Sequence, residues 1–440
     1  LTVEKLGIPT APIVTLKFEN LVKTYIYKKG MANMRYTFVP HPIAGTTAAT
    51  CREYLLANDP VTGKPVLQEI IDAITVPLSK EDSETGSIER PSERLVAPDT
   101  EENLHQLFLD NGWTDGLPIV LPTEARVKEM LQGTSRDPNE IVGKMQPSSP
   151  HELWSYTVEK VAVNAVMAGA RPEHFPVILA LASTGMTSLS TSTTSFAAMV
   201  VVNGPIRNEI NMNSGIGALG PFNQANAVIG RAWTLLSINL SASGKVGETY
   251  MGSQGNNLNY NNVCFAENEE ELPEGWKPFH VQQGFKPEES TVSTFIGWGF
   301  THPDQSMEKA FAPQIPFWLK FVSPFSSATL LLDPNIIHQL KNSEGYNSKE
   351  QLIEWIQKNC KVKVGDWLDE YYAVQNFVLP MGRMGQEPIA KWMKLPRDEY
   401  IPQFSNTSKI TILSVGGGTN LFWQAGDFSY NSSASIDEWR

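Results

Sequence analysis

The 440-residue chain has only three cysteines, Cys51, Cys264 and Cys360. So few thiols cannot build a disulfide scaffold. Clusters of positive charge are missing too. Lys and Arg total 35 against 47 Asp and Glu, for a formal net charge of −12. A chain without a basic face does not neutralise phosphate backbones, which excludes a nucleic-acid-binding protein. No apolar run approaches the roughly 20 residues that cross a bilayer, so no membrane span is expected. The seven His are scattered, with no HxxxH, HExxH or CxxC spacing, and no metal site is expected. The glycine loop at 416–418 matches neither GxGxxG nor GK[ST], and no cofactor is recognisable. An acidic, cysteine-poor chain of this kind is expected in a reducing cytoplasm, working on a small-molecule substrate.

What is present begins with Ala11-Pro12-Ile13-Val14-Thr15-Leu16, a short apolar strand with no polar face. Such strands belong in parallel sheets covered on both sides. A helix is expected over about 18–27, and a second strand over Arg35-Tyr36-Thr37-Phe38-Val39-Pro40. Helical patterns follow at about 45–57 and 64–75. Two βα units make half of a doubly wound domain, and two parallel strands do not form a stable sheet alone. The remaining strands are expected from an upstream segment or a partner polypeptide, within an oligomer. Residue 1 is Leu, not Met, and the expectation is a fragment, a processed product or one piece of something longer.

The fold class read from these patterns is α/β. A partial doubly wound parallel-sheet domain (1–79) is followed by a linker (80–102) rich in Ser, Glu, Pro and Asp. A large mixed α+β domain occupies 103–440. Within it, helices are expected at 122–132, 152–169, 172–183, 222–239 and 350–359, and strands at 198–203, 290–295 and 409–415.

Three segments carry a resemblance. They are Glu4-Lys5-Leu6-Gly7-Ile8-Pro9-Thr10, Val39-Pro40-His41-Pro42-Ile43-Ala44-Gly45 and Ile71-Asp72-Ala73-Ile74-Thr75-Val76-Pro77. Together they resemble the C-terminal half of the UGSC family, named for a selenocysteine/cysteine-Gly-Ser-Cys motif. The resemblance implies thiol- or selenol-dependent, reductase-like chemistry. In that family the redox motif lies just before the Glu-Lys-x-Gly-Ile-Pro-Thr segment, and it does not occur in these 440 residues. The resemblance therefore implies a reactive Cys or Sec supplied by an upstream segment or a partner chain.

The residues offer further candidates. Twelve Asn fall between 203 and 262, interspersed with Gly. Asn side chains both donate and accept, and Gly lets backbone approach a ligand, so this stretch is a candidate polar pocket. The plainer reading is that Asn and Gly fill turns. Asn203, Asn211, Asn213 and Asn268 are the candidate binding residues. Arg207 is a candidate clamp for a substrate carboxylate. Trp113 and Asp115, in the loop Asn111-Gly112-Trp113-Thr114-Asp115-Gly116-Leu117-Pro118, are candidates for stacking and acid–base work.

Cys264 with His280 as base and Glu267 as orienting group is a candidate nucleophile set, against the plainer reading of a buried structural thiol. His41 ends a parallel strand, where ligands bind in doubly wound sheets. Gly416-Gly417-Gly418 follows a strand and is a candidate anion site. Three readings stay open: a thiol/selenol-dependent enzyme, a cysteine hydrolase or lyase acting on an acyl, amide or nitrile group, and a non-catalytic metabolite-binding subunit.

Overall fold

The computed structural model describes residues 3–28, 33–77, 79, 93–145, 155–241, 243–304, 306 and 308–440. Its first two strands are parallel: β1 (Ile13–Thr15) lies in register with β2 (Thr37–Val39), and α1 (Glu19–Lys28) connects them. Helices α2 (Ala48–Leu56) and α3 (Val66–Thr75) follow. These are the two expected βα units.

The two edges of this pair differ. Thr37 N donates to Pro12 O across the pair, so by alternation the Phe38 N–H points to the outer side. There the Asp59 carboxylate accepts it, together with the Thr37 hydroxyl. Asp59 thus takes the donor that a further strand beside β2 would need. Along the outer edge of β1 no further strand pairs among the described residues.

Residues 80–92 of the expected linker lie outside the described residues. Residues 93–100 hold no helix or strand, but Arg94 pins them by ion pairs to Glu124 and Glu159. The large domain then opens with α4 (Glu101–Asp110) and α5 (Glu124–Met130), followed by the antiparallel pair β3 (Ile141–Lys144) and β4 (Ser155–Thr157). The helix expected over 152–169 is shorter, α6 (Val158–Met167), because Thr157 caps it and residues 155–157 pair as strand β4. Residues 152–154 lie outside the described residues. Helix α7 (Phe175–Ser183) comes next, after a turn led by Pro172.

In chain order there follow β5 (Ala197–Asn203), α8 (Gln224–Ser241), β6 (Cys264–Ala266), β7 (Thr291–Gly297), β8 (Phe300–Thr301) and β9 (Ala328–Leu332). Next are α9 (Pro334–Asn342), α10 (Lys349–Asn359), β10 (Lys361–Lys363) and β11 (Tyr400–Pro402). The last strands are β12 (Ile410–Ser414), β13 (Trp423–Gly426) and β14 (Ser429–Ser435). Two four-stranded sheets result, ordered β14-β7-β5-β6 and β12-β9-β13-β8. Each mixes one parallel pair, β5 with β6 and β12 with β9, with antiparallel neighbours.

The period-2 alternation of strands explains how the layers stack. On β5, Met199 and Val201 face the second sheet and pack with Phe265, Phe295, Leu331 and Leu413. Ala198, Val200 and Val202 face the other way, onto the buried residues of α6, α7 and α8. The second sheet repeats the pattern, with Leu330, Leu332 and Ile412 set against Ile336, Ile337, Leu352 and Ile356 of α9 and α10. The core is therefore four layers, helix–sheet–sheet–helix. Each fully buried aliphatic or aromatic side chain in it contributes about 1.5–3 kcal/mol. No described helix is long and apolar enough to cross a membrane.

Candidate functional site

Strand β6 ends at Ala266, and the next two residues tie the sheets together. Glu267 N donates to Val202 O of the first sheet, and Asn268 N to Ser414 O of the second. The Glu267 side chain is fully buried at this joint, with Lys349 Nζ 2.6 Å from Oε1 and Lys349 equally buried. Its Oε2 accepts from Asn203 Nδ2 at 2.7 Å and from Phe279 N at 2.6 Å. A carboxylate so enclosed anchors structure and has no exposed path for a proton. Asn268 belongs to the same joint, donating from Nδ2 to Gly416 O.

The clamp expected of Arg207 is turned inward. Its guanidinium pairs with both oxygens of Glu270 at 3.0 Å, lies 3.1 Å from Glu269, and donates to the carbonyls of Gly204 and Glu267. The hydrogen bonds from Arg207 pull the Glu270 carboxyl down to about 2. Asn203 donates to both Glu267 and Glu269. His280 is fully buried; its Nδ1 lies 3.9 Å from Glu269 Oε1, and neither ring nitrogen has a hydrogen-bond partner. The sequence candidates Asn203, Arg207, Glu267, Asn268 and His280 do converge, but on a buried joint between sheets.

Cys264 is separate from this group. It faces α8, at a point where Gly230 lets helix and strand approach closely. Burial pushes its thiol well above the ordinary range, and no described side chain hydrogen-bonds to it. The structure therefore does not join Cys264 to His280 or Glu267 as nucleophile and base. Cys360 is buried too, its thiol pushed up to about 12. Cys51 is partly exposed, its Sγ 3.2 Å from the Thr46 hydroxyl.

The Asn-rich stretch divides into two kinds of residue. Asn211 and Asn262 sit at positive φ, 53° and 50°, the turn conformation that Asn tolerates. Asn213, Asn223 and Asn226 tie down the loop 213–223. Asn226 alone donates to Asn213 O and Ala218 O and accepts from Asn213 N. Asn257 and Asn261 differ. Their carboxamides make no hydrogen bond to another described residue, and they line a cavity of about 540 Å³. Asn256 lines it as well, while donating to the carbonyls of Ser195 and Trp298. The Ser/Thr-rich segment before β5 thus holds the Asn stretch in place.

This cavity has a smaller neighbour of about 290 Å³, and Ala218, Leu219, Gly220 and Gln424 border both. The smaller one lies beyond the carboxyl ends of the parallel pair β9 and β12, with Asp333 and the glycine loop in its wall. In open α/β sheets ligands bind at that end. Two of the three loop amides are not free for an outside anion, however. Gly416 N donates to Ser214 O, and Gly418 N donates to the Asp333 carboxylate at 3.1 Å. The other Asp333 oxygen caps α9 by accepting from Asn335 N. The anion held by this loop is the protein's own. Burial raises the Asp333 carboxyl above the usual Asp range.

The remaining candidates lie apart. Asp115 forms a bidentate pair with Arg231 at 2.8 and 2.9 Å, which fastens the 111–118 loop to α8. It also borders a third cavity of about 550 Å³ with Tyr250, Asn256 and Asn257. Trp113 packs edge-on against Phe108 and lines none of these cavities. His41 sits where the sequence puts it, at the carboxyl end of β2. There its Nδ1 meets the Thr15 hydroxyl, from the end of β1, at 3.0 Å. Among the described residues, no group of three or more His, Cys, Asp or Glu is arranged to hold a metal ion.

Sequence reasoning missed Lys349, Asp333 and Gln424. Lys349 had a signal: a cation at the first position of a helix opposes the helix dipole and needs a reason to be there. Asp333-Pro334, directly after an apolar strand, reads as a cap at a strand's carboxyl end. Gln424 had none.

Comparison with known families matches residues 1–62 to the UGSC family. The match covers β1, α1, β2 and α2, so the N-terminal segment is a UGSC-type unit. No curated protein and no solved structure matches the chain.

Proposed function

We propose that this chain is a subunit or fragment of a thiol- or selenol-dependent, oxidoreductase-like enzyme acting on a small polar metabolite. The reactive Cys or Sec comes from an upstream segment or a partner polypeptide, in a cytoplasmic hetero-oligomer. The observation that carries this reading is the UGSC match over a parallel pair whose carboxyl ends bring Thr15 and His41 together. The uneven edges support it, since Asp59 closes β2 while β1 stays open to a further strand. The large domain supplies the substrate chamber, the paired cavities lined by Asn257, Asn261, Gln424 and Asp333.

The cysteines of this chain do not favour the hydrolase alternative. A thiol whose pKa is raised by burial is a poor nucleophile without a base beside it, and Cys264 is in that state.

Native mass spectrometry of the protein isolated from its own cells tests the reading. It predicts a covalent extension or a second polypeptide that carries a Cys/Sec-Gly-Ser-Cys motif. A homogeneous assembly of this chain with no such sequence attached or associated contradicts it, and favours a metabolite-binding protein.

A further inference from the structure

The paired cavities have an unusual charge inventory. Among the described residues of both linings the only carboxyl is Asp333, and no Lys, Arg or His takes part. Arg207, the cation that would have received an acidic substrate, is buried at the joint between the sheets. A carboxylate or phosphate ligand would meet no positive charge here and would lie against Asp333.

The walls add a second constraint. In the smaller cavity Phe422 lies beside Asp333, whose backbone N–H donates to the Phe422 carbonyl. The Phe422 ring is partly exposed and is backed on one face by His302, with ring centroids 4.2 Å apart. A carboxylate next to an aromatic face is the pairing that binds ammonium groups. Both Asp333 oxygens already accept backbone N–H bonds, so the carboxylate is held in a fixed orientation and keeps further lone pairs for a ligand. In the larger cavity the free carboxamides of Asn257 and Asn261 share the wall with exposed Trp298. Gln424, also free, stands between the two. Carboxamides suit neutral donors and acceptors, such as hydroxyl, amide or ester groups.

We infer that the paired cavities bind a small amino compound. Its ammonium group sits in the smaller cavity between Asp333 and Phe422, and its neutral polar remainder extends past Gln424 into the larger one. This deepens the substrate chamber of the proposed function and rests on that reading for its place in catalysis, but not for binding itself. It concerns ligand charge and is independent of where the reactive thiol resides.

The test is calorimetric titration of the intact protein with choline and with ethanolamine, set against acetate and glycerol at matched ionic strength. The expected result is saturable binding of at least one amine and none of acetate. Asp333→Asn keeps a good helix cap, and it is expected to weaken amine binding by about tenfold or more, since it removes a charge-assisted contact. Gln424→Ala leaves the cap and glycine loop untouched and provides a second variant if Asp333→Asn folds poorly; it is expected to weaken ethanolamine binding severalfold. Three results would overturn the inference: acetate bound in preference to the amines, no amine bound at all, or amine binding that neither substitution alters. Each of these leaves the search for a Cys/Sec-bearing partner unaffected, so the two readings fail separately.

Discussion

At the scale of single residues, the buried pair of Glu267 and Lys349 matters most for the body of the protein. Both side chains have no solvent exposure, so each ion depends on the other and on a few neutral donors. A buried pair is weak evidence of net stabilisation, but removing one partner strands the other. Lys349→Met is therefore expected to lower unfolding stability by about 3–5 kcal/mol, read from urea denaturation. Adding Glu267→Gln to that variant should restore part of the loss, because the neutral amide no longer needs a cation. A Lys349→Met protein as stable as the parent would show that the joint does not hold the two sheets together.

The residue scale also shows where the sequence could be read and where it could not. His41 was legible because its place follows from a strand end. Arg207, Glu267 and Asn203 were recognisable as unusual, yet their role was misjudged. Sequence shows that polar residues cluster, but not whether the cluster opens to solvent. Here Glu269 and Glu270, a few residues from Glu267, turn Arg207 inward. The Asn stretch was ambiguous for a similar reason, since the same side chain serves turns at Asn211 and Asn262 and a cavity wall at Asn257 and Asn261.

At the scale of elements, regular segments were well predicted. The long helix expected over 222–239 is Gln224–Ser241, the one over 350–359 is Lys349–Asn359, and the strand over 198–203 is Ala197–Asn203. These follow from apolar periodicity, which is local. The pairing of strands into two mixed sheets was not legible, because register depends on contacts distant in sequence. Gly230 shows the difference. In the sequence it is a mild weakness in helix α8. In the structure a Cβ there would lie 1.8 Å from Asn261 O and 2.8 Å from Cys264 Cβ. Helix α8 can lie on β6 only because this position is bare. Gly230→Ala is expected to destabilise the protein by about 1–3 kcal/mol through overpacking, against the small gain that Ala brings to an exposed helix. A thermal melt of the variant gives the sign directly; a rise in Tm would contradict this packing.

At the scale of the whole molecule, two units of different character emerge. Residues 155–440 hold a four-layer core lined with cavities. The UGSC-type unit is, among the described residues, a two-stranded parallel pair with Asp59 at the β2 edge and no further strand at the β1 edge. Exposed Leu67, Ile71 and Ile74 form an apolar line along α3, at helical spacing. Two of the three cysteines, Cys264 and Cys360, give little thiol chemistry of their own, being buried with raised thiol pKa values, while Cys51 is partly exposed. On the proposed function, the reactive sulfur or selenium lies outside these 440 residues. Brief iodoacetamide treatment of the native assembly near neutral pH, followed by peptide mass spectrometry, tests it most directly. Label is expected first on a Cys or Sec of a Gly-Ser-Cys motif outside the chain, with Cys264 and Cys360 unmodified. Rapid labelling confined to Cys264 would contradict it.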